Sequence, residues 1–520
     1  MSLRGHLAGG AALGAAALLL IRPAAAQTSA DQIEQLQQQI QQLREQSQQQ
    51  IDRLQEQLQD LQSQMQKNQA FPAQAPAASA PPAAAAPTQA AAPPSTTVPG
   101  EPRLTLYPAK GPAFTTADGQ TSIQLASRVQ FDLGDYFNVK PQSKFSSPSD
   151  LTSGVNARRA RLGIVGKFYG DWDYALIYDF GGSADSLVNS GANTSGIENA
   201  YITYTGFRPL AIDAGYQNVP WTLDEATSST DILFLERASS AAVAFNIAGG
   251  DFRSAVDVRY INDRYFAGLW ATGPVSGQPH NVGEQFGALG RFSVQALQSS
   301  AGSLHLGVDV ESLLKAQNVN GIPTLTLSDR PELRIDPTVV LNTGSLLEVT
   351  NAEVYGAELA AAYENLFFQS EYYHYIIERN ALAKLNFDGG YAEASWVLTG
   401  EPHVYIPATG AYAGILPDHP MSFTGDGWGA FEVAARYSVV DLNDRFTPGV
   451  AAATTQGVAG GKQTVYTLGL NWYVDTYVRL SLNYLHGIID KQSGSVTTGP
   501  LGIGTGLKFD AVAARWQVAF

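Results

Sequence analysis

The sequence predicts an all-β fold, a transmembrane antiparallel β-barrel of about 16 strands, preceded by an N-terminal α-helical coiled coil. Three observations lead there. Beyond residue 100, apolar and polar residues alternate with period two along segment after segment. Aromatic residues gather at the ends of those segments, and the chain closes on Phe520 with no polar tail. Past the N-terminus no apolar run reaches the ~18–20 residues a spanning helix needs, so a membrane would be crossed by strands.

The composition of the 520 residues agrees. Only 15% are charged, 50 are glycine, and there is no cysteine. Zero cysteine removes disulfide scaffolds, zinc ribbons, iron–sulfur clusters and thiol catalysis. The net charge of -15 argues against nucleic acid as a partner, because neutralising phosphates takes lysine and arginine in excess.

Residues 1–26 read as a signal peptide. A short basic start with Arg4 is followed by a Leu/Ala-rich run to Ile21 and a small-residue ending at Ala24-Ala25-Ala26, the pattern of a cleaved export signal. Residues 27–68 read as a coiled coil in the periplasm. Ile33, Leu36, Ile40 and Leu43 recur at 3-4 spacing, as do Ile51, Leu54, Leu58, Leu61 and Met65. Such a seam buries its apolar residues only against another helix. Ser47 interrupts it, and the four-residue step to Ile51 is a stutter that locally unwinds a supercoil. Residues 69–100 are rich in Ala and Pro, a linker unable to bury a core.

Residues 101–520 read as the barrel. Val512, Ala514, Trp516, Val518 and Phe520 fall on one face, and Ala511, Ala513, Arg515, Gln517 and Ala519 on the other. The same division sets Ile123, Leu125, Val129, Phe131 and Leu133 against Gln124, Arg128, Gln130 and Asp132. Trp172, Tyr174, Leu176, Tyr178 and Phe180 oppose Asp173 and Asp179. Tyr466, Leu468, Leu470 and Trp472 oppose Thr467 and Asn471. A soluble sandwich alternates too, but aromatic clusters at strand ends are the mark of the lipid–water boundary. In hydrocarbon every backbone group needs an internal partner, so the strands must close. At about 26 residues per strand and connection this region holds about 16 strands, with a lumen wide enough for water.

Several segments resemble the phosphate-selective porin O and P family. They are Asn156-Ala-Arg-Arg-Ala-Arg-Leu162, Asp171-Trp-Asp-Tyr174, Tyr204-Thr-Gly-Phe207 and Ala226-Thr-Ser-Ser229. Leu235-Glu-Arg237, Leu398-Thr-Gly-Glu-Pro402 and Asn471-Trp-Tyr473 continue the series in order along the chain. The resemblance implies a homotrimeric, 16-stranded porin in the bacterial outer membrane, with the coil as an oligomerising extension. It implies a pore lined by Arg128, Arg158 and Arg159, with Arg237 and Glu198 at the constriction and Ser228 and Ser229 donating to an anion. Two positions depart. Glu225 and Asp173 stand where phosphate-selective members carry lysine. Each reverses a charge inside a field-focusing pore, which predicts weak phosphate selectivity.

The function implied is passive diffusion of small hydrophilic solutes or ions. The alternative is a linking protein, its barrel an anchor and its coil bound to peptidoglycan or a periplasmic partner. No catalytic constellation, cofactor motif or metal-binding spacing appears; the partners expected are outer-membrane lipid and the solutes. Asp179-Phe-Gly181 matches a kinase triplet but lacks the other kinase signatures and reads as a strand-end turn. Arg158-Arg159-Ala-Arg161 could be a solvated charge run, but its place beside apolar Leu162 and Ile164 suits a lumen wall. The linker isolates the coil, so deleting residues 31–100 is expected to leave single-channel conductance in planar bilayers unchanged. A large loss would make the coil part of the pore.

Overall fold

The structure, a computed structural model, describes Gln41 and residues 103–105, 110–144, 151–181, 196–248, 252–274, 285–425, 427–493 and 502–520. The coil seam, the linker and the export signal lie outside these residues. The chain divides into two units, Met1–Ser95 and Thr96–Phe520, and the barrel belongs to the second.

Sixteen strands form a closed antiparallel barrel. They are β1 (Ser122–Pro141), β2 (Gly154–Phe168), β3 (Trp172–Asp179), β4 (Gly196–Tyr204), β5 (Leu210–Gln217), β6 (Arg253–Ile261), β7 (Tyr265–Thr272) and β8 (Phe286–Gln298). The other half comprises β9 (Gly302–Lys315), β10 (Val349–Tyr363), β11 (Leu366–Arg379), β12 (Leu385–Val397), β13 (Ala430–Asp444), β14 (Val458–Tyr473), β15 (Val478–Asp490) and β16 (Leu507–Ala519). Each pairs with its neighbour in sequence, and β16 pairs back onto β1 through Val518↔Val129 and Ala513↔Gly134. That last ladder removes the two free edges that lipid would leave unsatisfied. Phe520 extends it by exchanging backbone hydrogen bonds with Ser127 at 2.8 and 2.9 Å. The barrel begins some twenty residues later than the composition boundary at 101. Arg103–Thr105 and Ala113–Thr115 form a short hairpin laid on the start of β1. Gly111 is required there, since a Cβ would overlap the Leu125 carbonyl oxygen.

The period-two faces are those read from the sequence. Leu468 and Trp516 are exposed on the outer wall, while Thr467, Asn471, Arg515 and Gln517 are buried on the inner one. Aromatic pairs mark both margins of the apolar belt. Phe431 stacks on Trp472 at 5.8 Å, and Trp172 packs on Tyr204 at 4.8 Å, near the rim of short turns. Tyr437 and Tyr466, 5.3 Å apart, lie toward the other rim. The register of β1 on β2 shifts between Gln130 and Asp132. This bulge spends one extra residue of β2 opposite β1, which is how the adjacent Arg158 and Arg159 both become buried on the lumen side. Strict alternation would have sent one of them into lipid.

Three connections fold inward rather than over the surface. Residues 218–248 carry α1 (Leu223–Ala226) and α2 (Ser239–Phe245), both largely buried. Residues 398–429 enter from the opposite rim as a hairpin pairing Tyr405–Ile406 with Ala411–Tyr412. Residues 316–348 contribute Glu332, buried against β13. The outer wall yields a direct expectation. Leu468→Arg places a guanidinium in mid-belt and should lower folding stability by about 2–4 kcal/mol, measured by denaturant titration in vesicles. Stability unchanged would mean that this face is not in lipid.

Candidate pore constriction

The lumen wall is polar by the alternation of each strand, and the inserted loop 218–248 completes it. Its backbone is held from many sides. Leu223 and Asp224 donate their N–H groups to Glu371 of β11, each at 2.9 Å. Gln130 of β1 donates to the Ser229 carbonyl at 3.0 Å. Asn471 of β14 and Arg479 of β15 donate to the Leu233 carbonyl at 2.9 and 3.2 Å. Tyr375 donates to the Ser240 carbonyl at 2.6 Å. A segment reaching β1, β11, β14 and β15 together lies across the barrel interior.

Most of the nine residues singled out in the sequence meet here. Arg128 on β1 donates to Ser229 Oγ at 2.6 Å and Ser228 Oγ at 3.1 Å. Each serine hydroxyl accepts from the wall here and still carries its own O–H to donate. Arg158 forms a two-pronged pair with Glu236 of the inserted loop, at 2.6 and 2.9 Å. Burial alone would push the Glu236 carboxyl up, but Arg158 and then Arg515 outweigh it and hold it well below the usual range. Arg159 donates to Gln130 at 2.8 Å. Glu198 on β4 pairs with Arg161. Arg237 folds back onto its own loop, 3.3 Å from both Asp224 and Glu225. Glu225 also accepts from Asn218, and its N–H is capped by Thr222 at 3.1 Å.

Asp173 stands apart. It sits at the first turn of β3, half exposed, with Lys167 at 3.8 Å, an exposed pair of little energetic weight. Its reversed charge is thus countered locally and does not share a site with Glu225. Asp179 of the kinase-like triplet accepts from the N–H groups of Ala160 and Gly181 at 3.0 and 2.8 Å, as a strand-end turn requires.

The sequence reading missed the partners that organise the interior. Arg291 on β8 grips both oxygens of Glu358 on β10, at 2.7 and 3.0 Å. The same guanidinium donates to the carbonyls of Thr409 and Gly410 at 2.8 Å each, at the tip of the 398–429 hairpin. Gly410 has φ +60°, and a Cβ there would press on Ser293 Oγ at 2.7 Å. His403 within that hairpin meets Glu432 of β13 at 2.7 Å and the Ala413 carbonyl at 3.0 Å. Arg436 pairs with Glu332 at 2.7 Å and Arg515 with Asp132 at 2.6 Å. Arg515 was legible as an inward position; its partner was not, being far away in sequence. Asp309, Glu358 and Glu371 bring carboxylate oxygens within 4.8 Å of one another. Arg291 already supplies the cation that Glu358 requires.

A closed barrel with an aromatic-bordered apolar wall and a polar, loop-narrowed interior defines an outer-membrane channel. The chain belongs to the phosphate-selective porin O and P family, whose description matches residues 123–520. It is similar to an uncharacterized protein of Caulobacter vibrioides, 29% identical over 398 residues, covering 74% of this chain and 71% of that one. It is also similar to Porin O of Pseudomonas aeruginosa, 25% identical, covering 72% and 85%. Among solved structures it resembles OmpT, an outer membrane protein of Vibrio cholerae in trimer form. That match has a TM-score of 0.45 and 12% identity, over 77% of this chain and 99% of the other.

Removing the Arg291 guanidinium tests the constriction. Arg291→Ala would leave the buried Glu358 with only the His305 ring, at 2.6 Å, in place of its guanidinium, and is expected to cost about 3–5 kcal/mol. It would also free the 398–429 tip and raise single-channel conductance. Conductance unchanged, with the destabilisation present, would show that the hairpin holds its place without the clamp.

Proposed function

We propose that the barrel is a passive diffusion channel for small hydrophilic solutes or ions, with mixed ion preference and weak phosphate selectivity. The observation that carries this reading is charge pairing. Arg158, Arg161, Arg237, Arg291, Arg436 and Arg515 each face a carboxylate within 4 Å. A guanidinium whose donors are occupied by an internal carboxylate presents little net charge to a passing anion. Five of the 32 Lys/Arg and six of the 47 Asp/Glu precede residue 101, so the remainder carries 27 against 41. Arg128, which donates to two neutral serine hydroxyls, keeps its charge at the wall, so anions can still enter. Arg128, Arg158, Arg159, Glu198, Glu225, Ser228, Ser229 and Arg237 serve in this reading as pore-lining residues. Asp173 serves only as part of the wall near the rim.

The same reading places three copies of the chain in the membrane, with the coil in the periplasm. Its heptad seam, which needs a partner helix, supports that assembly. Family membership supports the channel role over that of an anchor.

Planar-bilayer recording decides between mixed and phosphate-selective conduction. The expected result is a small reversal potential and poor block of chloride current by phosphate. Sub-millimolar phosphate block would refute the reading and mean that the arginines bind phosphate despite their carboxylates. Glu225→Lys should move the reversal potential toward anions. One reversed charge near the passing ion acts by on the order of a kcal/mol or more at intermediate dielectric, about tenfold or more in relative permeability. Asp173→Lys should change it far less, because that position faces Lys167 outside the constriction.

A further inference from the structure

The outer wall carries a group of polar side chains that conduction does not use. Lys140 near the end of β1 and Lys508 near the start of β16 are direct cross-strand partners. Both are exposed on the outer face, while Leu507 beside Lys508 turns inward and is buried. Like charges directly opposite one another are destabilising in a sheet. Among the described residues neither lysine has an ion-pair partner.

The nearest carboxylates are already engaged. Asp510, two residues along the same face of β16, accepts from Asn138 at 2.8 Å and Tyr484 at 2.9 Å. His486 Nδ1 lies 2.8 Å from the same carboxylate. Asp490 accepts from Gln142 at 3.1 Å, and Lys462 pairs with Asp441 at 3.6 Å. Asp135 is exposed on β1, closer to the apolar belt. The lysine pair therefore has carboxylates in its neighbourhood but no direct ion pair with any of them among the described residues.

Its position says what would cover it. On the membrane side of these residues the outer wall is apolar, with Leu482 on β15, Val512 on β16 and Leu133 on β1 all exposed. The pair lies at the end opposite the short turns such as 169–171 and 474–477. In barrels of this class that is the external rim, where the outer leaflet's headgroups sit. A ligand there meets two lysines above, Asp510 with His486 and the exposed Asp135 at the boundary, and an apolar wall below. We propose that Lys140 and Lys508 hold a phosphate group of an outer-leaflet glycolipid, whose acyl chains lie along the apolar strip beneath. His486, fixed by Asp510, borders the same headgroup. A second arrangement of the same kind, Tyr372 and His374 on Asp388, lacks such a lysine pair. Lys384 of that neighbourhood is tied to Glu378 at 3.2 Å.

The test uses the full chain purified in detergent and titrated with diphosphorylated lipid A, with its dephosphorylated form, and with inorganic phosphate as competitor. Retained lipid is read by native mass spectrometry. Two lysines near a surface phosphate correspond to roughly ten- to thirtyfold in affinity. The phosphorylated lipid should bind tighter by about that factor. The double variant Lys140→Gln/Lys508→Gln should lose the difference, the Lys→Arg pair should keep it, and Lys384→Gln should not alter it. Single-channel conductance should be unchanged in all of them, which certifies the fold. Equal binding of the two lipids, or full binding by the Gln pair, would overturn the proposal. Displacement of the lipid by inorganic phosphate would do so too, by making this a free-phosphate site.

Discussion

Backbone hydrogen bonding in hydrocarbon is the constraint on which the rest of this structure depends. An unpaired N–H or C=O in lipid costs several kcal/mol, so the β1–β16 ladder has to close. Closure fixes one face of every strand toward lipid and the other toward the lumen. The lumen faces of sixteen strands then bring many polar side chains into a narrow space. Their desolvation has to be offset internally, and the inserted loops supply the missing partners. Glu236 meets Arg158, the Leu233 carbonyl meets Arg479, and Glu332 meets Arg436.

Loops of a barrel usually lie outside because their backbone groups need water. Here the order is reversed. The loop over residues 218–248 is buried because lumen side chains take the place of water, donating to the Ser229, Leu233 and Ser240 carbonyls and accepting from the Leu223 and Asp224 N–H groups. Arg291 makes the same exchange for the 398–429 hairpin entering from the other rim. Since it also reaches the Pro220 carbonyl at 3.4 Å, one guanidinium touches both inserted segments. Constriction and stability are therefore coupled: what narrows the pore also neutralises its wall.

This coupling bears on selectivity. An arginine count alone describes an anion pathway, and the resemblance to a phosphate-selective family strengthens that description. The proposed mixed preference rests on the pairings, because a guanidinium bound in two-pronged fashion to a carboxylate has spent its best donors. The two reversed charges also differ in consequence. Glu225 lies buried within the constriction beside Arg237, whereas Asp173 lies near a rim beside Lys167.

The sequence alone determined what depends on neighbouring residues in one strand. The alternation at 466–472 and 511–520 assigns faces because side chains on a strand have a period of two, whatever the strand pairs with. A constriction at Arg237 and Glu198 was implied by the resemblance. Tertiary structure decided everything that depends on two distant segments meeting. The bulge that turns both Arg158 and Arg159 inward arises from how β2 registers on β1. The partners of Arg291, Arg436 and Arg515 lie from tens to hundreds of residues away. Local propensity carries no information about such pairs. Only barrel closure, which sets each strand's height and each loop's reach, brings those charges together.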